Sequence, residues 1–460
     1  MRLSRRSICA HVKRDLPIAF SSEQISAHGG LEVFGRFLRA IDLAGRLRRA
    51  WGDLGCEGDY GARRFVLCLV GLLLIGGRRI THLRVVERDP VFLRFAGLRR
   101  LPADRAVVRW MKRLPFPALE RLATVIRDLV HDTIVWGRLT RLTIDLDGSV
   151  LRTGLGVERA ARGFNPHHPK DKSYYPLTAH LAQTGQILRV LNRPGNVNDS
   201  VQAVEFLRVV LGGLRERFGR RLPVELRMDG GFFYPAVLRF LVEERLSFAI
   251  KVPLWKWLGI RERIAARRRW TRVDGSVSGF ETTLAIPQWD LRLRVVVYRK
   301  RVFHETAKNF QLDLFTPDDG HYEYSALATS LPLGVRALWA FMAGRGGHEK
   351  TLAELKQHLA FDAIPTNQWF ANSLWQHVCV LTHNLVRSFQ IHTGAAHRPR
   401  TRKRTCGWVF ESLLTLRFAL LQQPARLVRP AGRPELRFAV APSTQRRIER
   451  SLQRVEHLAA

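Results

Sequence analysis

The chain has 460 residues, 46% of them hydrophobic, enough for a large core and several domains. It carries 75 Lys and Arg against 40 Asp and Glu, a formal charge of +35, and 64 of the 75 are Arg, the side chain that grips phosphate bidentately. That excess suits a polyanionic partner such as nucleic acid. Five scattered cysteines without a Cys-x-x-Cys spacing argue against a disulfide framework or a zinc ribbon. The longest apolar run, 65–75, is too short to cross a bilayer, and the basic first residues lack the apolar stretch of a secretion signal, so no membrane partner and a cytoplasmic location are expected.

In chain order, residues 25–135 show helical periodicity with Arg on the polar faces. Within them, 105–112 reads as a helix capped by Asp104, with Arg105, Arg109 and Lys112 on one side as a candidate DNA-recognition face. Residues 141–150 are apolar and β-prone until Gly148, which predicts a buried strand presenting Asp147 at its end, with Asp145 on the same strand face. Two strands joined at Thr184-Gly185 and a helix over 200–218 follow. A second strand, 223–229, then leaves Asp229 before Gly230-Gly231, and a helix over 234–245 and a strand over 247–252 come next. Glu349 lies 120 positions after Asp229, more than one helix and strand require, so an insertion is expected; its alternating runs are β-like, and it holds Trp255, Trp257, Trp270 and Trp289. Residues 345–356 turn helical, with Arg345, Glu349 and Lys356 on one face. A long amphipathic helix over 366–385, a basic run over 397–404 and an Arg-rich helix over 443–458 complete the chain.

Three carboxylates at two strand ends and one helix are the ligand set for two-metal phosphoryl transfer. Magnesium or manganese takes hard oxygen ligands, and two ions about 3.5–4 Å apart activate the attacking oxygen and stabilise the leaving one. Singly, Asp147 and Asp229 are also what turns beside glycine look like, and Glu349 what a solvated helix face looks like. No His-Glu-x-x-His is present, which disfavours zinc hydrolysis; His348, beside Glu349, is a candidate for a phosphate or water contact.

These residues match a known pattern. The chain resembles the DDE transposases of bacterial insertion sequences, in the family conventionally numbered thirteen-eighty, over about residues 25–389. The matching motifs are Asp147-Gly-Ser149, Arg227-Met-Asp229-Gly-Gly-Phe232, and the third signature, whose four positions hold Met342, Arg345, Glu349 and Lys356. The family has tyrosine where this chain has Met342, with Phe341 beside it as a substitute ring. Residues 163–167, 173–177 and 193–199 carry further landmarks.

The resemblance implies an α/β fold, an RNase H-like mixed-sheet core interrupted by a mostly β insertion, with an α-helical N-terminal DNA-binding domain. The expected division is 1–135 for that domain, 136–252 and 326–393 for the two parts of the core, 253–325 for the insertion, and 394–460 for a basic DNA-binding or dimerisation region. It implies Asp147, Asp229 and Glu349 as catalytic metal ligands for two ions, Mg2+ or Mn2+. Arg345 and Lys356 are implied near the scissile phosphate, and double-stranded DNA, element ends and target, is the implied substrate of a homodimer. An insertion tryptophan that stacks on a flipped base is a further implication. The alternatives are a structure-selective nuclease on the same core and a DNA-binding relic, the latter prompted by Met342.

Overall fold

The computed structural model describes residues 18–154, 156–163, 170–302, 316–317, 322–398 and 406–459. Most of the 163–167 landmark and of the basic run 397–404 therefore lies outside the described residues.

The centre is one mixed sheet. Its strands are β1 (Leu142–Gly148), β2 (Leu177–Leu181), β3 (Gln186–Leu191), β4 (Val224–Met228), β5 (Ser247–Val252), β6 (Val277–Ile286), β7 (Leu291–Arg301) and β8 (Tyr322–Thr329), in the spatial order β3-β2-β1-β4-β5-β8-β7-β6. β1, β4 and β5 are parallel, and the remaining pairs are antiparallel. The β-rich insertion therefore does not form a sheet of its own: β8 returns to pair with β5, and β7 and β6 extend the central sheet outward.

Side-chain alternation sorts the two faces. Leu142, Ile144 and Leu146 of β1, with Leu226 and Met228 of β4, share a core with helices α7 (Ala203–Phe218) and α8 (Pro235–Glu243). The intervening residues, Asp145 and Asp147 of β1 and Arg227 of β4, point to the opposite face, against helix α10 (Gly346–Leu359). Helix α9 (Val335–Ala343) leads into α10, and α11 (Trp369–Thr393) lies beyond it.

The sequence pattern predicts an amphipathic α11, but all of it except Phe370 and His392 is buried. Its polar residues are taken up by neighbours rather than by water. Asn384 Oδ1 accepts from Ile187 N–H at 2.9 Å and its Nδ2 donates to Ile187 O at 2.7 Å, so one side chain stands in for a neighbouring strand at the β3 edge.

The N-terminal helices are α1 (Leu31–Ala40), α2 (Leu43–Trp51), α3 (Ala62–Leu74), α4 (Pro90–Ala96), α5 (Asp104–Arg113) and α6 (Phe116–Trp136). Their core is continuous with Leu352, Leu355, Trp375, Phe389, Ile448 and Val455, so it joins α10, α11 and the last helix, α12 (Pro442–Ala459). The apolar face of α12 is thus covered within the chain, against α1 and α11. The apolar run 65–75 lies in α3, where Phe65, Leu69, Leu72 and Leu73 are buried, and no described helix is long and apolar enough to cross a membrane.

Candidate active site

β1 and β4 run side by side in parallel, pairing Asp145 with Arg227. Two residues further on, where the strands end at glycines, stand Asp147 and Asp229 on the same side. Asp229 is held by its own turn, its Oδ1 accepting from Gly231 N–H at 3.0 Å. Glu349 projects from the first turn of α10 and is 66% exposed.

Arg345, the residue before α10, bridges all three. Its Nη2 lies 3.0 Å from Asp147 Oδ1 and 3.7 Å from Asp229 Oδ2, and its Nη1 lies 3.4 Å from Glu349 Oε1. Geometry leaves this guanidinium under-satisfied, because Nε and Nη2 are buried without a well-aligned hydrogen bond. Burial works against its charge, but Asp147 and Asp229 outweigh burial and hold the Arg345 pKa above its ordinary value. Burial pushes the Asp147 carboxyl up to about 8; Arg345 opposes that, while Asp229, Asp199 and Glu349 add to it. An all-oxygen set around a cation is the donor chemistry that hard divalent ions take, so these residues fit such a group.

Asp199, the last residue of the 193–199 landmark, is not singled out by the sequence but lies beside these acids. It sits against the glycines after both strand-end aspartates: a Cβ on Gly148 would collide with its Oδ1, and one on Gly231 with its Oδ2. Burial, then Asp229, pushes its carboxyl up to about 6. No local spacing links it to either glycine; only the fold brings its loop across.

One tier below, the opposite charges are paired and only His348 Nδ1 among the atoms of Asp145, Arg227, His180 and His348 is buried without a hydrogen bond. Asp145 is fully buried and accepts from Arg227 Nε at 2.5 Å and Nη2 at 2.8 Å, while Arg227 Nη1 donates to Phe341 O at 2.7 Å. His180 Nδ1 lies 3.2 Å from Asp145 Oδ2, its ring stacks on His348 at 4.8 Å, and Thr178 and Thr351 take the Nε2 atoms of His348 and His180. Asp145, His180 and His348 offer ligand atoms within 4.8 Å of one another. A metal does not fit there, since both Asp145 oxygens already face a buried guanidinium. Asp145 is thereby committed to the buried ion pair, and the expectation that His348 contacts phosphate or water is corrected: it has no exposed surface and points into the protein.

Lys356 Nζ donates to Val150 O at 3.2 Å, tying α10 to the loop after β1. Met342 and Phe341 are both buried, 4% and 3% exposed, with Phe341 under the Arg227 guanidinium, so neither presents a side chain in the place of the family tyrosine. Asp104 is the first residue of α5 and not its cap; the N-cap is Ala103, and Asp104 pairs with Arg84 at 2.6 Å. Arg105, Arg109 and Lys112 are exposed and, with Arg78, Arg79 and Arg113, line a groove of 1030 Å³ against residues 363–368. Arg78 donates to the carbonyls of Lys356 and Gln357 at the end of α10, both at 2.8 Å, and pairs with Asp362 at 2.7 Å.

The tryptophans divide. Trp255 and Trp257, 41% and 49% exposed, stack at 5.6 Å and rest on Phe233 and Trp289, Phe233 being four residues past Asp229. Trp270 packs edge-on against Phe280 at 4.8 Å under Arg299.

Among solved structures, a piggyBac transposase synaptic complex with hairpin DNA is similar at 13% identity and a TM-score of 0.39, over 85% of this chain and 80% of that one. No curated protein matches the chain. The family model described as transposase DDE domain group 1 matches residues 10–460, almost the full length, and the chain belongs to that family.

Proposed function

We propose that this chain is the transposase of a bacterial insertion sequence, a metal-dependent DNA phosphoryl transferase that cuts at the element's ends and joins the freed 3′ ends to target DNA. One guanidinium, Arg345, in contact with carboxylates from β1, β4 and α10 carries this reading. Three acids converging around a positive centre, in a chain of net charge +35, fit a site where cations and a phosphodiester meet. The strand order β3-β2-β1-β4-β5, with β1, β4 and β5 parallel, supports an RNase H-like core extended by the insertion.

Asp147, Asp229 and Glu349 would hold two divalent cations, magnesium or manganese, whose chemistry is to activate the attacking oxygen and stabilise the leaving one. Arg345, under-satisfied among these acids, turns to the phosphate when DNA enters and stabilises charge on the oxygens around phosphorus. Lys356 keeps the loop after Asp147 in register with α10. Water attacks first and frees a 3′-hydroxyl; that hydroxyl then attacks a target phosphodiester, so one P–O bond forms and one breaks in each step. The groove lined by Arg78, Arg105, Arg109 and Lys112 suits duplex backbone, and its link to the end of α10 through Arg78 sets bound DNA beside the catalytic helix. Trp255 and Trp257 offer a face on which an unpaired base stacks. In the DNA complex two copies act as a homodimer, one at each element end.

The test is magnesium-dependent strand cleavage of DNA bearing the element's own terminal repeats, comparing wild type with Asp229→Asn. Cleavage by the wild type alone supports the assignment; equal cutting by both sinks it.

A further inference from the structure

We propose that Asp199 is a fourth oxygen ligand of the divalent-cation site, alongside Asp147, Asp229 and Glu349. This rests on the reading that those three hold metal, and it adds a residue that the triad does not contain.

Asp199 closes the loop between β3 and α7, and that loop is built rigidly. Arg193 has no exposed surface; its Nε donates to Tyr175 O at 3.0 Å, and its Nη1 donates to the carbonyls of Asn198 at 3.1 Å and Val201 at 2.6 Å. Its guanidinium also lies over the Tyr175 ring at 5.2 Å. These bonds fix where the Asp199 side chain emerges. It emerges between the two strand ends, against the backbones of Gly148 and Gly231; the Asp199 carboxylate fills the space beside Gly231, and together with the Tyr175 ring it fills the space beside Gly148.

The carboxylate is the counter-charge of the buried Arg193, yet its own hydrogen bonding is left incomplete. It is 8% exposed, and its Oδ1 has no hydrogen-bond partner. The Tyr175 hydroxyl bonds to the carboxylate, and the Arg193 Nη2, 3.9 Å from Oδ1, is beyond hydrogen-bonding reach and is itself unpartnered. Nor is Asp199 a helix cap, since α7 begins at Ala203 after Gln202 with no side-chain cap bond. A buried, half-satisfied acid beside two other acids is unfavourable unless a cation joins them. Hard cations also demand many oxygens, and a fourth carboxylate supplies one from a rigid loop.

Manganese binding to the full-length, DNA-free protein, followed by calorimetry, tests this. Asp199→Asn is expected to weaken Mn2+ binding at least tenfold while the metal-free protein keeps its circular dichroism and its unfolding midpoint. Asp229→Asn, measured in parallel, is expected to weaken binding as well. If Asp229→Asn binds less and Asp199→Asn binds as the wild type does, Asp199 is no ligand and the proposal is overturned, with the parent reading intact. If Asp229→Asn itself binds like wild type, the metal-site reading fails and takes this one with it. Should Asp199→Asn not fold, Asp199→Cys gives a second readout. Titrated with Cd2+, it is expected to gain a thiolate-to-cadmium absorption band over the wild type, and a difference spectrum without that band overturns the proposal.

Discussion

Asp145 and Arg227 stand two residues before Asp147 and Asp229 on the same pair of parallel strands, facing the same side, yet the two tiers are built to opposite ends. In the lower tier each charge has its partner: a buried bidentate ion pair, a backbone carbonyl for the remaining guanidinium nitrogen, and two stacked histidines bonded to threonines. In the upper tier, one guanidinium is divided among three acids, two of its nitrogens lack an aligned acceptor, and a fourth acid leaves an oxygen unpaired. Charges paired one to one mark the tier that holds the strands and α10 together; a guanidinium shared among several acids marks the tier that is kept open for something else.

The largest effects come from exchanging the tiers' roles. Asp229→Asn removes a proposed metal ligand, so strand cleavage is expected to fall by on the order of a thousandfold, since a metal supplies several kcal/mol of transition-state stabilisation. Because Asp229 is part-exposed among like charges, its folding stability is expected to stay within about 1 kcal/mol of wild type. Asp145→Asn does the reverse at the level of folding. It strands Arg227 as an uncompensated buried cation, and denaturant unfolding is expected to show a loss of about 3–5 kcal/mol. Equal loss of stability in both variants would erase the distinction between the tiers.

A pH titration separates them next. Burial lowers the pKa of His348 well below its usual value, and those of His377 and His383, packed in α11, to about 4. Each binds a proton more readily unfolded than folded, so its stabilising contribution is complete above the unfolded value near 6.5 and is lost as pH falls from there through about 4. Asp147 works in the other direction. With its folded pKa near 8 and an unfolded value near 3.8, the metal-free folded state holds the extra proton, so stability declines as pH rises between those values. Thermal melts from pH 4 to 8 are expected to show acid loss that Mn2+ does not restore, on the order of 1–3 kcal/mol per histidine, and alkaline loss that Mn2+ or Asp147→Asn removes. A metal-insensitive alkaline limb would contradict the arrangement described for Asp147.

Local patterns made the upper tier legible and left the lower one dark. Alternation and terminal glycines announce where β1 and β4 end, and helical spacing puts Arg345, Glu349 and Lys356 on one face, so the four residues now found in contact were all on view in the sequence. Asp145, His180 and His348 offered no such signal. Their partners lie 35 to 171 positions away, and only sheet pairing and the packing of α10 bring them together. The same reason hid Asp199, which depends on a loop folded across two strand ends. The burial of α11 on all sides was also out of reach, because Asn384 and Gln376 look solvent-facing until β3 and the residue after it supply their hydrogen bonds. Likewise, nothing in the alternation of β6 and β7 says whether the insertion makes its own sheet or joins the existing one; the pairing of β8 with β5 decides it.

The insertion's tryptophans extend the contrast to aromatic groups. Trp255 and Trp257 expose stacked faces beside the turn of Asp229, whereas Trp270 is half-buried against Phe280. Trp257→Ala is expected to weaken binding of DNA ends that carry an unpaired base by about 1–3 kcal/mol, the worth of one base–aromatic stack, with fully paired ends unaffected and the melting temperature unchanged. Trp270→Ala is expected to lower the melting temperature instead. Loss of paired and unpaired binding alike in Trp257→Ala would point to a backbone contact and not to stacking.

Arg345 yields the smallest effect and the one that bears most directly on why the upper tier is incomplete. In the DNA-free protein its guanidinium sits where the acids converge, screening their mutual repulsion and competing with any ion that enters. Removing it therefore acts in two directions. In Arg345→Gln the three carboxylates repel one another unscreened, which raises their demand for a cation, so DNA-free Mn2+ affinity is expected to rise about tenfold, equivalent to ~1.4 kcal/mol. Cleavage is expected to fall in the same variant, because the group meant to meet the phosphate is gone. Arg345→Lys keeps the charge but not the planar fork that reaches Asp147, Asp229 and Glu349 together, so it is expected to restore screening in part and cleavage less. Opposite signs for metal affinity and for turnover are the signature of a side chain that occupies the site at rest and leaves it at work; a simple structural arginine would lower both.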